Sequence, residues 1–333
     1  MLSMQACTDS VAKHFKLTGF TMGTTYHVTV VEPKHKHTDQ QQLQSYIDQG
    51  LMLVNQQMST YIEDSEISRL NKWPVNQALP VSPALFDVLT MSLELSWLTN
   101  GAFDITIGPL VNLWGFGSKS ENVVSKMGKG SIPSDQEIAR LLAKTGFEFL
   151  QFDLSDSSVV KQRPLALDLS GIAKGYGADV IGKILVAAGY EDFMVEVGGE
   201  IYTRGNSPRG SAWRIAIEQP DGGFGQVAQA VSIANKGMAT SGDYRNYFEQ
   251  DGRRYSHTID PKTGKPITHT LASVTVIADS TAYADGLATA INVLGPEKGL
   301  KLANQQDLAV FLLLKTADGF EAQHSAAFQP YLE

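Results

Sequence analysis

Apolar spacing and helix-ending residues predict four helices. In residues 39–58 the apolar side chains recur every three or four positions, which is the period of a helix with one buried face. Residues 82–100 open on Ser82-Pro83 and close on Asn100-Gly101, and these are typical helix start and stop signals. The other two predicted helices span 173–188 and 281–294, and the last one stops at Gly295-Pro296.

Alternating and β-branched stretches predict strands, most of them in the second half of the chain. Phe20–Val31 alternates near the N-terminus, and Leu165, Leu167 and Leu169 alternate before Gly171. The remaining predicted strands are Phe193–Glu200, Trp213–Glu218, Val227–Ala234, Ser273–Ala278 and Leu308–Leu314. Strands in runs with helices inserted indicate an α+β fold with mixed, largely antiparallel sheets and packed helices.

Composition adds limits to this picture. The 333 residues are 43% hydrophobic and 19% charged, so a sizeable core is expected. The net charge of −8 argues against nucleic acid as a partner, because a binder of the phosphate backbone needs a basic face. The single cysteine, Cys7, excludes an internal disulfide. We expect a tether over residues 1–17, one domain over 18–333, and a long polar loop, an insertion, at 118–134.

The segment Asp168–Asp179 (DLSGIAKGYGAD) has the features of a phosphate site. A strand leads into a glycine-bearing turn and then a helix with Lys174 near its start, where free N–H groups and an ammonium favour anions. The order of a Walker A loop is missing, and Val180 stands where a dinucleotide fingerprint needs glycine. Taken alone, the segment also fits a plain turn with a surface lysine.

A carboxylate and a hydroxyl lie four residues apart in the last predicted helix. Asp285 and Thr289 therefore share one face. Both are hard oxygen ligands, of the kind that Mg²⁺ prefers. The alternative is an acidic residue in the first turn and a threonine bonded to a backbone carbonyl.

Two further stretches contain candidate residues for catalysis and for a ring-shaped ligand. His257 precedes the turn Asp-Pro-Lys-Thr-Gly at 260–264 and could carry a proton to or from a ligand, although a lone histidine is more often a packed or solvated residue. Residues 101–117 combine aromatic and apolar side chains with Asp104, and Met22 and Tyr61 could extend such a wall. Core packing is the alternative for Phe103 and Trp114.

Together these segments resemble the ApbE family of FAD:protein FMN transferases. The order of the motifs is kept from about residue 18 to residue 295. The matching pieces are MGT at 22–24, MSTY at 58–61 with 65–68 (SEIS), GAFDITIGPLVNLWGFG at 101–117, DLSGIAKGYGAD at 168–179, VGGE at 197–200, TSGDYRNYF at 240–248, SHTIDPKTGKP at 256–266 and TAYADGLATA at 281–290.

The resemblance implies a T-fold-like architecture and a role for each matching residue. It implies Mg²⁺ bound by Asp285, Thr289 and the backbone carbonyl of Gly171. The implied FAD contacts are Met22, Tyr61, Ala102, Phe103, Asp104, Asp168, Lys174 and Ile259. It also implies that Lys174 and Mg²⁺ neutralise the pyrophosphate while a threonine hydroxyl of an acceptor protein attacks the FMN phosphorus and AMP leaves. His257 is the candidate base, with Asp243 and Asp285 as rivals.

Three points follow from the same resemblance. The acceptors of the family are subunits of membrane redox pumps. The surroundings of Cys7 resemble a lipid-attachment site, which implies a periplasmic protein held at the inner membrane by lipid alone. Two other functions stay open at this point: a pyrophosphatase that splits FAD into FMN and AMP, and a flavin-binding protein without catalysis.

Overall fold

The computed structural model describes residues 11–33, 39–118, 132–220, 226–242, 247–250 and 252–333. The helices are α1, Gln40–Met58; α2, Glu66–Lys72; α3, Pro83–Leu98; α4, Gly108–Leu113; α5, Asp135–Leu142; α6, Ala173–Ala187; α7, Thr281–Leu294; and α8, Pro296–Gln305. Short 3-10 turns lie at Phe147–Phe149 and Ala326–Tyr331. Within the described ranges, no helix is both long enough and apolar enough to cross a membrane.

The strands, in chain order, are β1, His14–Thr21; β2, Thr24–Val31; β3, Leu79–Pro80; β4, Leu150–Asp153; β5, Ser158–Lys161; β6, Phe193–Val197; β7, Glu200–Arg204; β8, Trp213–Glu218; β9, Val227–Ile233; β10, Gly237–Gly242; β11, Tyr247–Gln250; β12, Arg253–Ser256; β13, Ile259–Asp260; β14, Lys265–Pro266; β15, Leu271–Ala278; β16, Ala309–Thr316; and β17, Gly319–His324.

One large sheet organises the molecule. Its eight strands follow the order β1-β2-β6-β7-β10-β15-β16-β17, and each neighbouring pair is antiparallel. Helices α1, α6 and α7 cover one face, and the β8–β9 hairpin with the C-terminal turn covers the other. The central strand β15 is buried nearly throughout because both its faces are covered. The predicted α+β fold with antiparallel sheets and packed helices is confirmed.

Two of the predicted strands are hairpins. The stretch Phe20–Val31 contains the end of β1, a two-residue turn at Met22-Gly23, and β2. Met22 and Gly23 both have positive φ, 49° and 73°, as a type I′ turn requires. Phe193–Glu200 likewise turns at Gly198-Gly199. Alternation continued across each tight turn, so the hydrophobic pattern did not reveal it.

The segment Leu165–Leu169 is not a strand, contrary to the prediction. Its leucines are buried as the alternation required, but Ala166 forms only an isolated bridge with Ile107. Asn71 holds the segment instead: its amide nitrogen donates to Leu167 O (2.9 Å) and its oxygen accepts from Leu167 N (2.6 Å). The Asn71 side chain and a backbone hydrogen bond from Asp168 N to Ile105 O (2.8 Å) hold this segment without a neighbouring strand.

The structure can be compared with the expected bounds of the N-terminal tether and of the polar loop. Strand β1 begins at His14, so residues 14–17 of the expected tether are paired with β2. Cys7 lies outside the described residues, as do residues 119–131 of the expected 118–134 loop. The part that follows, 132–134, leads into α5, where Ser134 and Glu137 form a capping box.

Candidate active site

Helix α7 is anchored at its start by helix α6. The carboxylate of Asp179 accepts hydrogen bonds from Thr281 N (2.9 Å), Ala282 N (2.9 Å) and the Ser280 hydroxyl (2.8 Å). An acidic residue at a helix N-terminus satisfies the free N–H groups and complements the helix dipole. This anchor fixes the orientation of α7, which carries Asp285 and Thr289.

Asp285 lies at the contact between α6 and α7. Its side chain is almost completely buried, and its Oδ2 accepts a hydrogen bond from Gly175 N at 3.0 Å. A side chain at Gly175 would collide with the backbone of Thr281 and Ala282, so glycine allows the two helices to approach. One of the N–H groups at the start of α6, which we expected to be free for phosphate, is therefore donated to Asp285.

Lys174 is held by two carboxylates. Its ammonium forms a hydrogen-bonded ion pair with Glu200 and lies 3.7 Å from Asp285 Oδ1. Glu200 is 3% exposed and its Oε2 accepts from Thr240 N at 3.4 Å. A side chain at Gly198, where φ is +59°, would crowd Lys174 and Thr24, so this turn needs glycine. Lys174 therefore lies in an ion-paired cluster, which a plain turn with a surface lysine does not describe.

The charges of this cluster depend on the ionisation of Glu200. Burial alone would lower the pKa of Lys174, but Asp285 and Glu200 outweigh it and raise the pKa, so the ammonium stays charged. Burial raises the pKa of Glu200, an effect that Lys174 opposes and Asp285 reinforces. When both carboxylates are ionised, they share one ammonium and leave the cluster one negative charge in excess, which favours a cation.

Replacing Glu200 by glutamine is expected to remove part of the pH dependence of stability. The pKa of Glu200 is raised from 4.5 to about 7 in the fold. Between these values the folded protein binds more protons than the unfolded chain, so this group makes the free energy of unfolding fall as the pH rises.

The fall is at most about 1.4 kcal/mol per pH unit, and Glu200→Gln should lack it. Denaturant titrations of the metal-free protein and the variant across that window measure the difference. Parallel pH profiles for the two proteins would contradict the assignment.

A second group of oxygen atoms lies on the same face of α7. The Thr289 hydroxyl is 3.5 Å from the carbonyl oxygen of Gly171 and 3.3 Å from the Ser241 hydroxyl on β10. With the Asp285 carboxylate these are hard oxygen donors, the kind that suits Mg²⁺. No group of three or more His, Cys, Asp or Glu side chains that could share a metal occurs in the described part of the chain. The structure brings Gly171 together with Thr289, which lies on the helix that also carries Asp285.

The residues predicted to contact FAD differ in accessibility. Ala102, Phe103 and Ile259 are each at most 4% exposed, so their side chains belong mainly to the core. Phe103 contacts the region of Gly171: a Cβ built there would lie 3.3 Å from its ring. Met22 lies at the turn of the first hairpin with its methyl group against α6, where a Cβ at Gly177 would be 3.0 Å away.

Two further residues predicted to contact FAD, Asp104 and Tyr61, differ in the same way: the first is buried and the second is exposed. Asp104 is buried, which raises its pKa, and its Oδ1 accepts from both Thr106 N (2.8 Å) and Thr106 Oγ1 (2.7 Å). Asp104 therefore shapes its own turn. Tyr61 is 73% exposed, and partial burial of its hydroxyl together with the charge of Asp168 raises its pKa. The Asp168 carboxylate therefore lies near enough to the Tyr61 hydroxyl to affect its ionisation.

His257 is half-buried beside an aromatic group. Its ring meets Phe116 edge-on, with the ring centroids 6.2 Å apart. The rival base Asp243 lies outside the described residues.

Sequence reasoning assigned no role to Glu200, Ser241 or Asp179. The signals available for Glu200 were its place directly after Gly198-Gly199 and its position in the matching piece VGGE at 197–200. Two successive glycines before an acidic residue indicate a turn in which the backbone is approached closely by other groups.

Comparisons with known proteins agree over the full chain. A model of the ApbE family matches residues 22–312. A curated protein of Vibrio cholerae named FAD:protein FMN transferase is 43% identical over 333 residues, which cover all of this chain and 96% of that protein.

Two solved structures share the fold. The flavin transferase ApbE from Vibrio cholerae has a TM-score of 0.87 at 42% identity, covering 96% of this chain and all of that one. The flavinyl transferase ApbE from Pseudomonas stutzeri, in its apo form, has a TM-score of 0.86 at 40% identity, covering 96% and 97% of the two chains.

Proposed function

The chain belongs to the ApbE family, and we propose that it transfers the FMN half of FAD to an acceptor protein. Relatives named FAD:protein FMN transferase match essentially its whole length and nearly all of their own. The observation that carries the proposal is the junction of α6 and α7. There a charged lysine, two buried carboxylates and a row of hydroxyl and carbonyl oxygens meet.

Magnesium fits this junction. Asp285, Thr289 and the carbonyl of Gly171 would hold the ion, with the Ser241 hydroxyl beside them. The excess negative charge of the cluster supports a cation, because an anionic pyrophosphate would otherwise be repelled. When bound, Mg²⁺ would neutralise charge on the phosphate oxygens of FAD.

The protein's own groups would do the rest of the transfer. An ammonium has three N–H donors, and Lys174 can turn one that Glu200 and Asp285 do not use toward the pyrophosphate. The acceptor hydroxyl oxygen bonds to the FMN phosphorus, the bond from that phosphorus to the bridging oxygen breaks, and AMP leaves. We propose that the hydroxyl proton passes to His257.

The decisive test is incubation with FAD, Mg²⁺ and a threonine-containing acceptor peptide, read by mass spectrometry. A transferase adds FMN to one threonine and none to the matching Thr→Ala peptide. Consumption of FAD at one rate with and without peptide, and with no labelled product, would make the protein a pyrophosphatase. Binding of FAD without consumption would leave only a flavin-binding protein.

Removing the Lys174 ammonium is expected to weaken FAD more than riboflavin, because riboflavin has no phosphate. Hydrogen bonds to charged groups contribute about 1.5–3 kcal/mol, so Lys174→Ala should lower FAD affinity roughly ten- to hundredfold in calorimetry. Lys183→Ala is the matched control, since that lysine lies on the same helix with its ammonium over the ring of Tyr176. Equal losses for both ligands would contradict a phosphate role.

The acceptor and the location follow from the family resemblance. We propose a threonine in a subunit of a membrane redox complex as the acceptor, and a mature protein held at the periplasmic side of the inner membrane by lipid on Cys7. Expression with Cys7→Ser should then move the protein to the soluble fraction. An unchanged distribution between membrane and soluble fractions would exclude the anchor.

A further inference from the structure

The far end of α7 carries a buried amide to which the proposed reaction assigns no role. Asn292 lies one turn beyond Thr289, on the helix face that also presents Asp285. Its side chain has no exposed surface. A polar group in such a place needs a reason, because an apolar side chain would fill the same space without desolvation cost.

Asn292 binds the segment that contains His257. Its Nδ2 donates to the Thr258 hydroxyl at 3.2 Å, and Thr258 is the residue directly after His257. The backbone of Thr258 is itself fixed, since its N–H donates to Ser256 Oγ (3.2 Å) and its carbonyl accepts from Ile267 N (3.1 Å). The position of His257 relative to α7 therefore depends on the Asn292 amide.

A second contact ties the same segment to the same residue. Leu271 N donates to His269 Nδ1 at 3.3 Å, so the proton of that ring is on Nε2, which donates to the Asn292 carbonyl at 2.7 Å. Asn292 thus binds the chain on both sides of the β13–β14 hairpin, through its side chain at Thr258 and its backbone at His269.

The amide is poorly satisfied where it lies. Among the described residues, Asn292 Oδ1 is buried and has no hydrogen-bond partner. Leaving a buried carbonyl oxygen unpaired is destabilising, whereas replacing both partners of a buried hydrogen bond by apolar groups of the same shape is close to neutral. A matched apolar pair would avoid this cost, so packing alone does not account for asparagine at this position.

We propose that Asn292 is a positioning residue for the transfer step, which holds Thr258, and with it His257, in register with Asp285 and Thr289. The inference rests on the proposed function, because it gives His257 the acceptor proton. A shift of a reacting group by about 1 Å can cost of the order of 10²-fold in rate. Loss of the Asn292–Thr258 hydrogen bond should therefore lower the turnover number and leave FAD binding intact.

The test uses Asn292→Leu, Thr258→Val and the double variant, all close to the native side chains in size. We expect kcat for labelling an acceptor peptide to fall roughly ten- to hundredfold, with the KM for FAD and the denaturation midpoint unchanged. The double variant should lose no more than either single one. Thr145→Val is the control, because this threonine is as buried as Thr258 and its hydroxyl donates to Leu142 O, in its own turn of chain.

Repeating the substitutions in a His257→Ala background tests whether Asn292 and Thr258 act through His257. There the Asn292 and Thr258 variants should cause no further loss of kcat, since the residue they position is gone. Normal kcat in Thr258→Val, or equal losses with and without His257, would overturn the inference, and so would full transfer by His257→Ala. If Asn292→Leu does not fold, Thr258→Val decides alone. Absence of any labelled peptide with the wild-type protein would contradict the proposed function itself. Labelling at equal rates by the wild type and the variants would contradict only this inference.

Discussion

Asp285→Asn is expected to abolish most Mg²⁺-stimulated FAD turnover while the protein stays folded. Asparagine keeps the shape and an oxygen that can accept from Gly175 N, but it removes the negative charge of the proposed metal ligand set. Loss of one preorganised electrostatic group at a reacting centre typically costs about 10²–10³-fold. Initial rates over a Mg²⁺ titration would show the loss as a lower maximum and a higher Mg²⁺ requirement.

Two comparisons make that result specific. Thr289→Val removes a neutral ligand and should weaken Mg²⁺ dependence less than Asp285→Asn does. Asp318→Asn changes the same charge in the exposed turn before β17 and should leave the rate alone. Undiminished turnover by Asp285→Asn at low Mg²⁺ would place the metal elsewhere.

His257→Ala is expected to slow FMN transfer by about 10²–10⁴-fold, the usual contribution of a positioned general base. The affinity for FAD should change little, because the imidazole is assigned to the acceptor hydroxyl and lies against Phe116. Single-turnover labelling of the acceptor peptide, together with calorimetry of FAD binding, separates the two quantities.

His14→Ala, a change at an exposed histidine of β1, is the matched control. Transfer at the normal rate by His257→Ala would leave the reaction class intact. The base would then be Asp243 or Asp285.

The helices were predictable because their signals are local. α1, α3 and α7 begin next to capping side chains of Asp39, Ser82 and Ser280, and each begins and ends within two residues of the prediction. Periodicity and caps lie within one or two turns of chain, so no knowledge of the rest of the fold is needed. The confirmed strand Trp213–Glu218 owes its success to strict alternation between buried and exposed positions.

The strand predictions were wrong where strand formation depends on a neighbouring segment of chain. Leu165–Leu169 has the alternation of a strand, but it lacks a neighbouring strand over its length and is held by Asn71. No local pattern distinguishes these cases, because pairing is decided by residues far along the chain. The same limit hid the two-residue turns, since Met22 and Gly198 continue an alternating run.

The grouping of the proposed ligands was predictable, whereas the balance of charge around them was not. Asp285 and Thr289 share a helix face by their spacing alone, and the structure adds Gly171 as expected. Glu200 could not be placed beside Lys174, because that contact depends on how β7 follows the glycine turn and lies over α6. Lys174 is therefore the centre of a buried charge cluster instead of an isolated phosphate ligand.

The strand order of the large sheet also has a consequence for how the molecule is made. Strand β2 pairs with β6, and the pair of side chains His27 and Glu196 joins positions 169 residues apart. Contacts between such distant residues slow folding, because a long loop must close before any of them forms. Met22 comes from the first hairpin and Asp285 from near the end, so the proposed site for FAD and Mg²⁺ can form only when synthesis of the chain is almost complete. We therefore expect this topology to refold slowly. FAD fluorescence measured during refolding should change only in the last stage, when the flavin can bind.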